Sequence, residues 1–253
     1  MSAITPLVLT FDEAPNIGRC LDRLTWAARV IVLDSGSTDE TAAIVSRYPN
    51  AELHVRAFDD HASQWNHGLD LVETAWVLAL DADYVVSDAF VHAAAEVTKD
   101  DDLDAAYAPI RYCIFGRPLS GSLYPPRAVL FRRSRCRYRQ DGHTQVLDIR
   151  GRSIQLSESI VHDDRKPLAR WFAAQAAYTR LEVDKLTRQP PHTLSLPDRV
   201  RLTMVGGPPA ALLYTLFVKG TILDGWPGWY YTLQRTTAEI MLSLALLDRR
   251  LRG

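Results

Sequence analysis

Acidic residues close three short apolar runs in the first third of the chain. Asp12-Glu13 follows residues 4–11, Asp34 follows residues 30–33, and Asp81-Ala82-Asp83 follows residues 76–80. In an open parallel sheet, ligands bind beyond the carboxyl ends of the strands, so carboxylates at such ends are placed to meet one. Strand alternation sends Asp81 and Asp83 to the same side. Two carboxylates so spaced suit a hard divalent cation held by oxygens, which in turn bridges phosphates. The plainer alternative is a D-A-D that ends its strand in solvent; Asp34 at an equivalent strand end favours the chemical reading. A nucleotidyltransferase would show a Gly-rich basic loop after the first strand, and a dinucleotide-dependent dehydrogenase a GxGxxG. Residues 9–17 contain neither.

The elements that must position these carboxylates alternate between strand-like and helix-like periods. Residues 4–11, 30–33, 53–55 and 76–80 read as short buried strands. Residues 16–24 read as a helix, with Ile17, Cys20, Leu21 and Leu24 on one face. Residues 38–48 read as another, capped by Ser37 or Thr38, and a third falls near residues 63–74. Buried strands separated by helices imply a parallel sheet covered on both faces. From residue 105 to 161, Gly116, Pro118, Gly121, Pro125-Pro126, Gly142 and Gly151 break the chain into antiparallel strands and loops. Residues 168–186 and 228–250 then repeat apolar residues at helical spacing. The expected fold is therefore α/β: a mostly parallel sheet flanked by helices, a mixed β middle and a helical C-terminal extension. The expected division is a catalytic domain over 1–165 and a helical region over 166–253 that contacts a membrane or a partner.

Composition narrows the class. Hydrophobic residues are 47% and charged residues 23% of 253, as in a folded globular chain, and the net charge of -1 gives no reason to expect a nucleic-acid partner. Three scattered cysteines (Cys20, Cys113, Cys136) make no CxxC pair, which points to a reducing compartment. The N-terminus lacks the basic region of a signal peptide, and Gly206 to Pro209 interrupt the only long uncharged window. The expectation is a cytoplasmic protein, soluble or peripheral on the inner face of the plasma membrane. Arg132, Arg133, Arg135, Arg137 and Arg139 either protect a solvated edge strand or meet phosphate groups. Trp226, Trp229, Tyr230, Tyr231, Leu213, Phe217 and Lys219 either pack the helical tail or form an interfacial membrane surface.

Three ordered motifs carry a family resemblance: L-T-F-D-E-A-P-N-I (residues 9–17), V-L-D-S-G-S-T-D-E-T (32–41) and L-A-L-D-A-D (78–83). Together they resemble glycosyltransferase family 2, whose catalytic domain has the GT-A fold. The branch of bacterial lipopolysaccharide-core β-1,4-glucosyltransferases also has counterparts of G-H-T-Q-V-L, V-H-D-D and D-G-W-P-G-W. The resemblance implies inverting transfer of a hexose, glucose from UDP-glucose, to a lipid-linked or polysaccharide acceptor. By the same resemblance, Thr10 and Glu13 border the nucleoside, Asp34 accepts from the uracil N–H, and Asn66 lies in the donor-binding Q-x-N segment. Asp81 and Asp83 form the DxD, with Asp83 and His162 as ligands of Mg²⁺ or Mn²⁺, a metal that spreads charge off the leaving diphosphate. Relatives carry the acceptor-activating base in the segment matching 140–145, often as His-Glu; here Thr144 takes the glutamate's place, so Asp141 is the nearest carboxylate and Asp163 the second choice. The missing His-Glu also keeps open a catalytically degenerate transferase that serves as a scaffold or membrane-assembly protein. Two further departures are Trp65, where relatives have a basic residue before the Asn, and Tyr84 after the D-A-D.

Overall fold

A computed structural model describes residues 3–141 and 144–252. The chain divides into two compact units, Met1–Arg111 with Tyr124–Arg165, and Tyr112–Leu123 with Lys166–Gly253. The segment Tyr112–Leu123, placed with the catalytic part by the sequence reading, thus groups with the helical region.

The elements of the first unit run β1 (Ile4–Thr10), α1 (Ile17–Asp22), β2 (Val30–Asp34), α2 (Thr41–Val45), β3 (Ala51–Val55), α3 (His61–Leu71), β4 (Trp76–Asp81), β5 (Tyr84–Val85), α4 (Asp88–Val97) and β6 (Leu103–Ala108). Strand β7 (Ile110–Ile114) leads out to β8 (Arg117–Pro118). The first unit resumes with β9 (Arg127–Arg132), β10 (Cys136–Asp141), β11 (Thr144–Ile149), β12 (Arg152–Gln155) and β13 (Ile160–His162). The central sheet has the order β12-β6-β9-β4-β1-β2-β3. Its β4-β1-β2-β3 half is parallel, β9 runs antiparallel to both β4 and β6, and β12 is parallel to β6.

Val30–Asp34 shows why the parallel half forms: every residue is buried, so the run carries apolar, mostly β-branched side chains on both faces. Alternation then divides the core. Val8, Val32 and Leu80 belong to one cluster with α1 and α4, and Leu7, Ile31 and Ala79 to another with α3. In the mixed middle segment, β6, β9 and β12 extend the main sheet, while β10 pairs antiparallel with β11 and β7 with β8. Helix α2 is also shorter than expected. The Thr38 amide donates to Asp12 Oδ1 (2.7 Å) and the Ala14 amide to Asp39 Oδ2 (3.1 Å), so the residues expected to open the helix are spent joining two strand-end loops. Helix α4, capped by the Ser87 hydroxyl on the Phe90 amide (3.1 Å), lies outside the segments read from sequence.

The second unit holds α5 (Leu168–Arg188), α6 (Leu196–Leu202), α7 (Gly207–Leu213) and α8 (Trp226–Arg252). Val183, Leu186, Leu194, Leu242 and Leu246 make its core. Arg201 on α6 ties the helices electrostatically, reaching Glu182 at 3.5 Å and Glu239 at 2.7 Å. Tyr231 is fully buried and accepts the Leu123 amide at 2.8 Å; of the two roles the sequence left open for it, packing and surface, it takes packing. No helix among the described residues is long and apolar enough to cross a membrane.

Candidate functional site

The carboxyl edge of the parallel strands gathers most of the acidic residues singled out above. In register, Thr10 lies beside Asp34, and Leu9 beside Asp81. Asp34 therefore continues the Val32 face and Asp81 the Leu7–Ala79 face: the two share an edge and leave the sheet on opposite faces. Strand β4 ends at Asp81, so alternation does not extend to Asp83, which lies in the turn before β5. Asp83, Asp81 and Glu13 nonetheless come within electrostatic reach of one buried side chain. Burial, then Asp83, Asp81 and Glu13, push the Cys20 thiol well above its ordinary pKa, against the opposing charge of Arg19.

Strand β13 brings the I-V-H-D-D segment to this turn. It pairs antiparallel with β5, His162 opposite Tyr84, and the Asp163 amide donates to the Asp83 carbonyl at 3.2 Å. Both side chains are buried, and His162 Nε2 stands 3.4 Å from Asp83 Oδ2. The Tyr84 and Tyr124 rings pack against the imidazole, with centroids 5.5 Å and 5.2 Å away. An oxygen and a nitrogen donor at this separation fit two neighbouring positions around one divalent cation. Among the described residues no third protein ligand completes the set, so water and phosphate oxygens would supply the rest, as is usual for a cation that bridges a nucleotide.

The sequence reading missed Arg127. Strand β9 runs antiparallel to β4 with Leu130 opposite Leu78, so its first residue lies toward the same edge as Asp81. The guanidinium makes no hydrogen bond or ion pair among the described residues, and neither does the Asp81 carboxylate. Burial works against the Arg127 charge, yet Tyr84, Asp81, Tyr124 and Tyr138 raise its pKa on balance. A part-buried cation without a fixed partner beside a strand-end carboxylate is suited to an anionic ligand. The signal was dim in sequence because Arg127 stands apart from the dense arginine run that drew notice. Three of that run's five arginines are spent elsewhere: Arg132 covers the Trp76 ring at 4.7 Å, Arg135 reaches Asp104 at 2.6 Å, and Arg137 reaches Asp70 at 2.8 Å.

Several other expected site residues are held by protein partners. Asp34 Oδ2 accepts from the Gly36 and Ser37 amides (3.2 and 2.8 Å), and Oδ1 from the Ser37 hydroxyl, so this carboxylate holds its own loop. Thr10 is buried and its hydroxyl makes no hydrogen bond among the described residues, whereas Glu13 accepts from Asn16 at 2.7 Å. Asn66 spends its amide on the Tyr138 backbone, donating at 2.9 Å and accepting at 3.0 Å, which pins β10 to α3. Trp65 stacks on Tyr138 at 5.3 Å inside the core, so a basic side chain would have no place there. Asp163 is buried and clamped by Arg19 (2.8 Å) and Arg165 (2.7 Å), a pairing that suits a support better than a proton acceptor. Asp141 ends β10 opposite Thr144, while Gly142 and His143 of the same loop lie outside the described residues. Arg137 pairs with Asp70 near the end of α3, and Gln140 accepts the Ala62 amide (3.1 Å) at its start. Strand β10 thus runs back along α3 and delivers Asp141 to the end of that helix which follows β3, the carboxyl edge.

Comparison with known proteins identifies the family and the fold. The family described as "Glycosyl transferase family 2" matches residues 6–154, more than half of the chain. The lipopolysaccharide core biosynthesis glycosyltransferase LpsC of Rhizobium meliloti is 30% identical over 84 residues, 32% of this chain and 31% of that protein. The uncharacterized glycosyltransferase YibD of Escherichia coli is 27% identical over 118 residues, 45% of this chain and 34% of that protein. The chain thus spans about a third of the length of these curated relatives. Among solved structures, the mannosyltransferase PcManGT from Pyrobaculum calidifontis, in complex with GDP-Man and Mn2+, superposes with a TM-score of 0.56 at 18% identity, covering 97% of this chain and 87% of that one. S. aureus TarS 1-349 superposes with a TM-score of 0.50 at 13% identity over 100% and 92% of the two chains. The fold is GT-A-like, as the resemblance implied. With the family match running from the first strand through the D-A-D turn and beyond it, the chain belongs to glycosyl transferase family 2.

Proposed function

We propose that this protein is a nucleotide-sugar-dependent, inverting hexosyltransferase acting from UDP-glucose on a lipid-linked or polysaccharide acceptor. The observation that carries the reading is the Asp83–His162 pair at the sheet's carboxyl edge, with Asp81 and Arg127 beside it. Asp83 and His162 would hold Mg²⁺ or Mn²⁺, which when bound disperses the negative charge of the leaving diphosphate. Arg127 supplies fixed positive charge to the same diphosphate, in place of the basic residue that Trp65 replaces. Thr10 and Glu13 border the nucleoside, and Asp34 acts on it through the loop it holds as well as through any direct bond. The Mn2+ and GDP-Man of the PcManGT complex and the UDP-GlcNAc bound by TarS are consistent with a donor site at this edge. The sugar and acceptor rest on the family resemblance and on the name of LpsC.

In the reaction, Asp141 takes the proton of the acceptor hydroxyl while its oxygen attacks the anomeric carbon from the side opposite the diphosphate. The new C–O bond forms as the sugar–phosphate bond breaks, and the bonding pair leaves with the nucleoside diphosphate. Water must be kept from the anomeric carbon; the Tyr84 and Tyr124 rings beside His162 give this part of the site an apolar wall. The test is titration calorimetry with UDP-glucose, UDP-GlcNAc and GDP-mannose, each with and without Mn²⁺, followed by an assay of slow donor hydrolysis. Metal-dependent binding of UDP-glucose in preference to the other two supports the assignment. Metal-independent inertness toward all three would overturn it and favour a scaffold.

A further inference from the structure

The second unit carries a patch that its own packing leaves uncovered. A 3-10 turn, Thr221–Asp224, is bracketed by Gly220 and Gly225, both at positive φ (71° and 65°). Its polar groups are tied down. The Thr221 hydroxyl donates to the Thr215 carbonyl at 2.8 Å, and the Asp224 carboxylate accepts from the Ser120 amide (2.9 Å) and hydroxyl (2.5 Å). Its apolar residues stand out: Leu223 is 86% exposed, with Val218 at 67%, Phe217 at 62% and Trp226 at 50% close by in the chain. Phe115 joins them from the β7–β8 hairpin, its ring 6.3 Å from Trp226, and it holds a positive φ of 47° that a bulky side chain rarely adopts. An exposed apolar patch of this kind marks an interaction surface.

Charge identifies the partner. Residues 112–123 and 213–233 contain three charged side chains, Arg117, Lys219 and Asp224. The acid is already engaged by Ser120, whereas the two cations lie over aromatic faces, Arg117 at 5.4 Å from the Trp226 ring centroid and Lys219 at 5.6 Å from that of Tyr214. Protruding aliphatic tips, amphipathic aromatics and cations with apolar stems are the composition of a surface that sits at a lipid headgroup layer. We propose that this face of the second unit docks on an anionic bilayer. Leu223 and Phe217 enter the acyl boundary, Trp226 and Tyr214 sit among the headgroups, and Arg117 and Lys219 meet lipid phosphates. A second copy of the chain is the weaker occupant, since the tips project and offer each other no groove.

This reading is independent of the donor site, and its test does not use transfer activity. The full chain is floated with vesicles of phosphatidylcholine alone and of phosphatidylcholine mixed with phosphatidylglycerol. Binding is expected to the mixed vesicles and to weaken as salt is raised. Leu223→Ser with Trp226→Ser should lower the partition coefficient about tenfold or more, through lost apolar burial. Arg117→Gln with Lys219→Gln should remove the preference for anionic vesicles. Phe217→Ser gives a second, independent removal of apolar surface should the double variant fail to keep the wild-type melting temperature. Absence of flotation by the wild type, or flotation unchanged by these substitutions, overturns the proposal. So does a change from dimer to monomer in the variants with no vesicle binding at any stage.

Discussion

Asp83 and His162 reach each other across a two-strand pairing, and loss of the Asp83 charge has a distinct expected phenotype. Asp83→Asn keeps the shape of the side chain and removes its charge. Calorimetry should then give the same weak donor affinity with and without Mn²⁺; metal dependence as strong as in the wild type would remove Asp83 from the ligand set. Arg127→Gln should weaken UDP-sugar binding about tenfold to a hundredfold, the range for losing a charge-assisted hydrogen bond, while leaving the melting temperature nearly unchanged because the guanidinium makes no hydrogen bond or ion pair among the described residues. Asp141→Asn should leave donor affinity intact and lower kcat by roughly 10² to 10⁴, the usual contribution of a general base. Transfer at the wild-type rate would move the base elsewhere. At this scale the sequence was informative about charge and poor about partners. D-A-D and I-V-H announce themselves by type and position, but nothing in the string records that Asn66 is spent on the Tyr138 backbone or that Asp34 is spent on its own loop. Those bonds depend on which loops fold over which strand ends, information that arises only in three dimensions.

Among the elements, the strands were the most legible part and the loops the least. The parallel half follows from fully apolar runs, since β-branched residues on both faces require cover on both faces. By contrast, a plausible cap at Ser37 or Thr38 gave way to the links of Asp12 with the Thr38 amide and of Asp39 with the Ala14 amide, a case of non-local hydrogen bonds outcompeting local helix signals. Two elements invite direct tests. The β13 end is fastened by Asp163 between Arg19 and Arg165, so Asp163→Asn should cost about 1–3 kcal/mol in urea denaturation and loosen the strand that carries His162. The first turn of α8 comes so close to the 3-10 turn that a Cβ at position 228 would fall 1.8 Å from the Thr221 carbonyl oxygen. Gly→Ala in a helix ordinarily stabilises, by up to about 1 kcal/mol, but Gly228→Ala should destabilise and lower the melting temperature, because a backbone oxygen cannot step aside. This contact gives a physical reason for the second glycine of D-G-W-P-G-W, which sequence alone offers only as a motif.

For the molecule as a whole, all three cysteines are buried and none forms a disulfide with another. Burial, with Asp104 adding to it, pushes the Cys136 thiol up to about 11, and burial does the same in the same direction for Cys20. An Ellman titration of the native chain near neutral pH should therefore detect almost no thiol over minutes, and all three after denaturation; rapid native labelling would contradict the packing. The order of an α/β part followed by a helical part was readable from the change in hydrophobic period. The allegiance of Tyr112–Leu123 was not, since a short hairpin carries no period that says where it will pack. The pairing of β5 with β13 has a consequence for biosynthesis. Asp83 leaves the ribosome long before His162, so a nascent chain that stops short of Ile160 already contains β1 to β4 yet owns only half of the Asp83–His162 pair. A cation held by both side chains would thus have to wait for late-synthesised residues, since an incomplete chain presents only one of the two while its translation is unfinished.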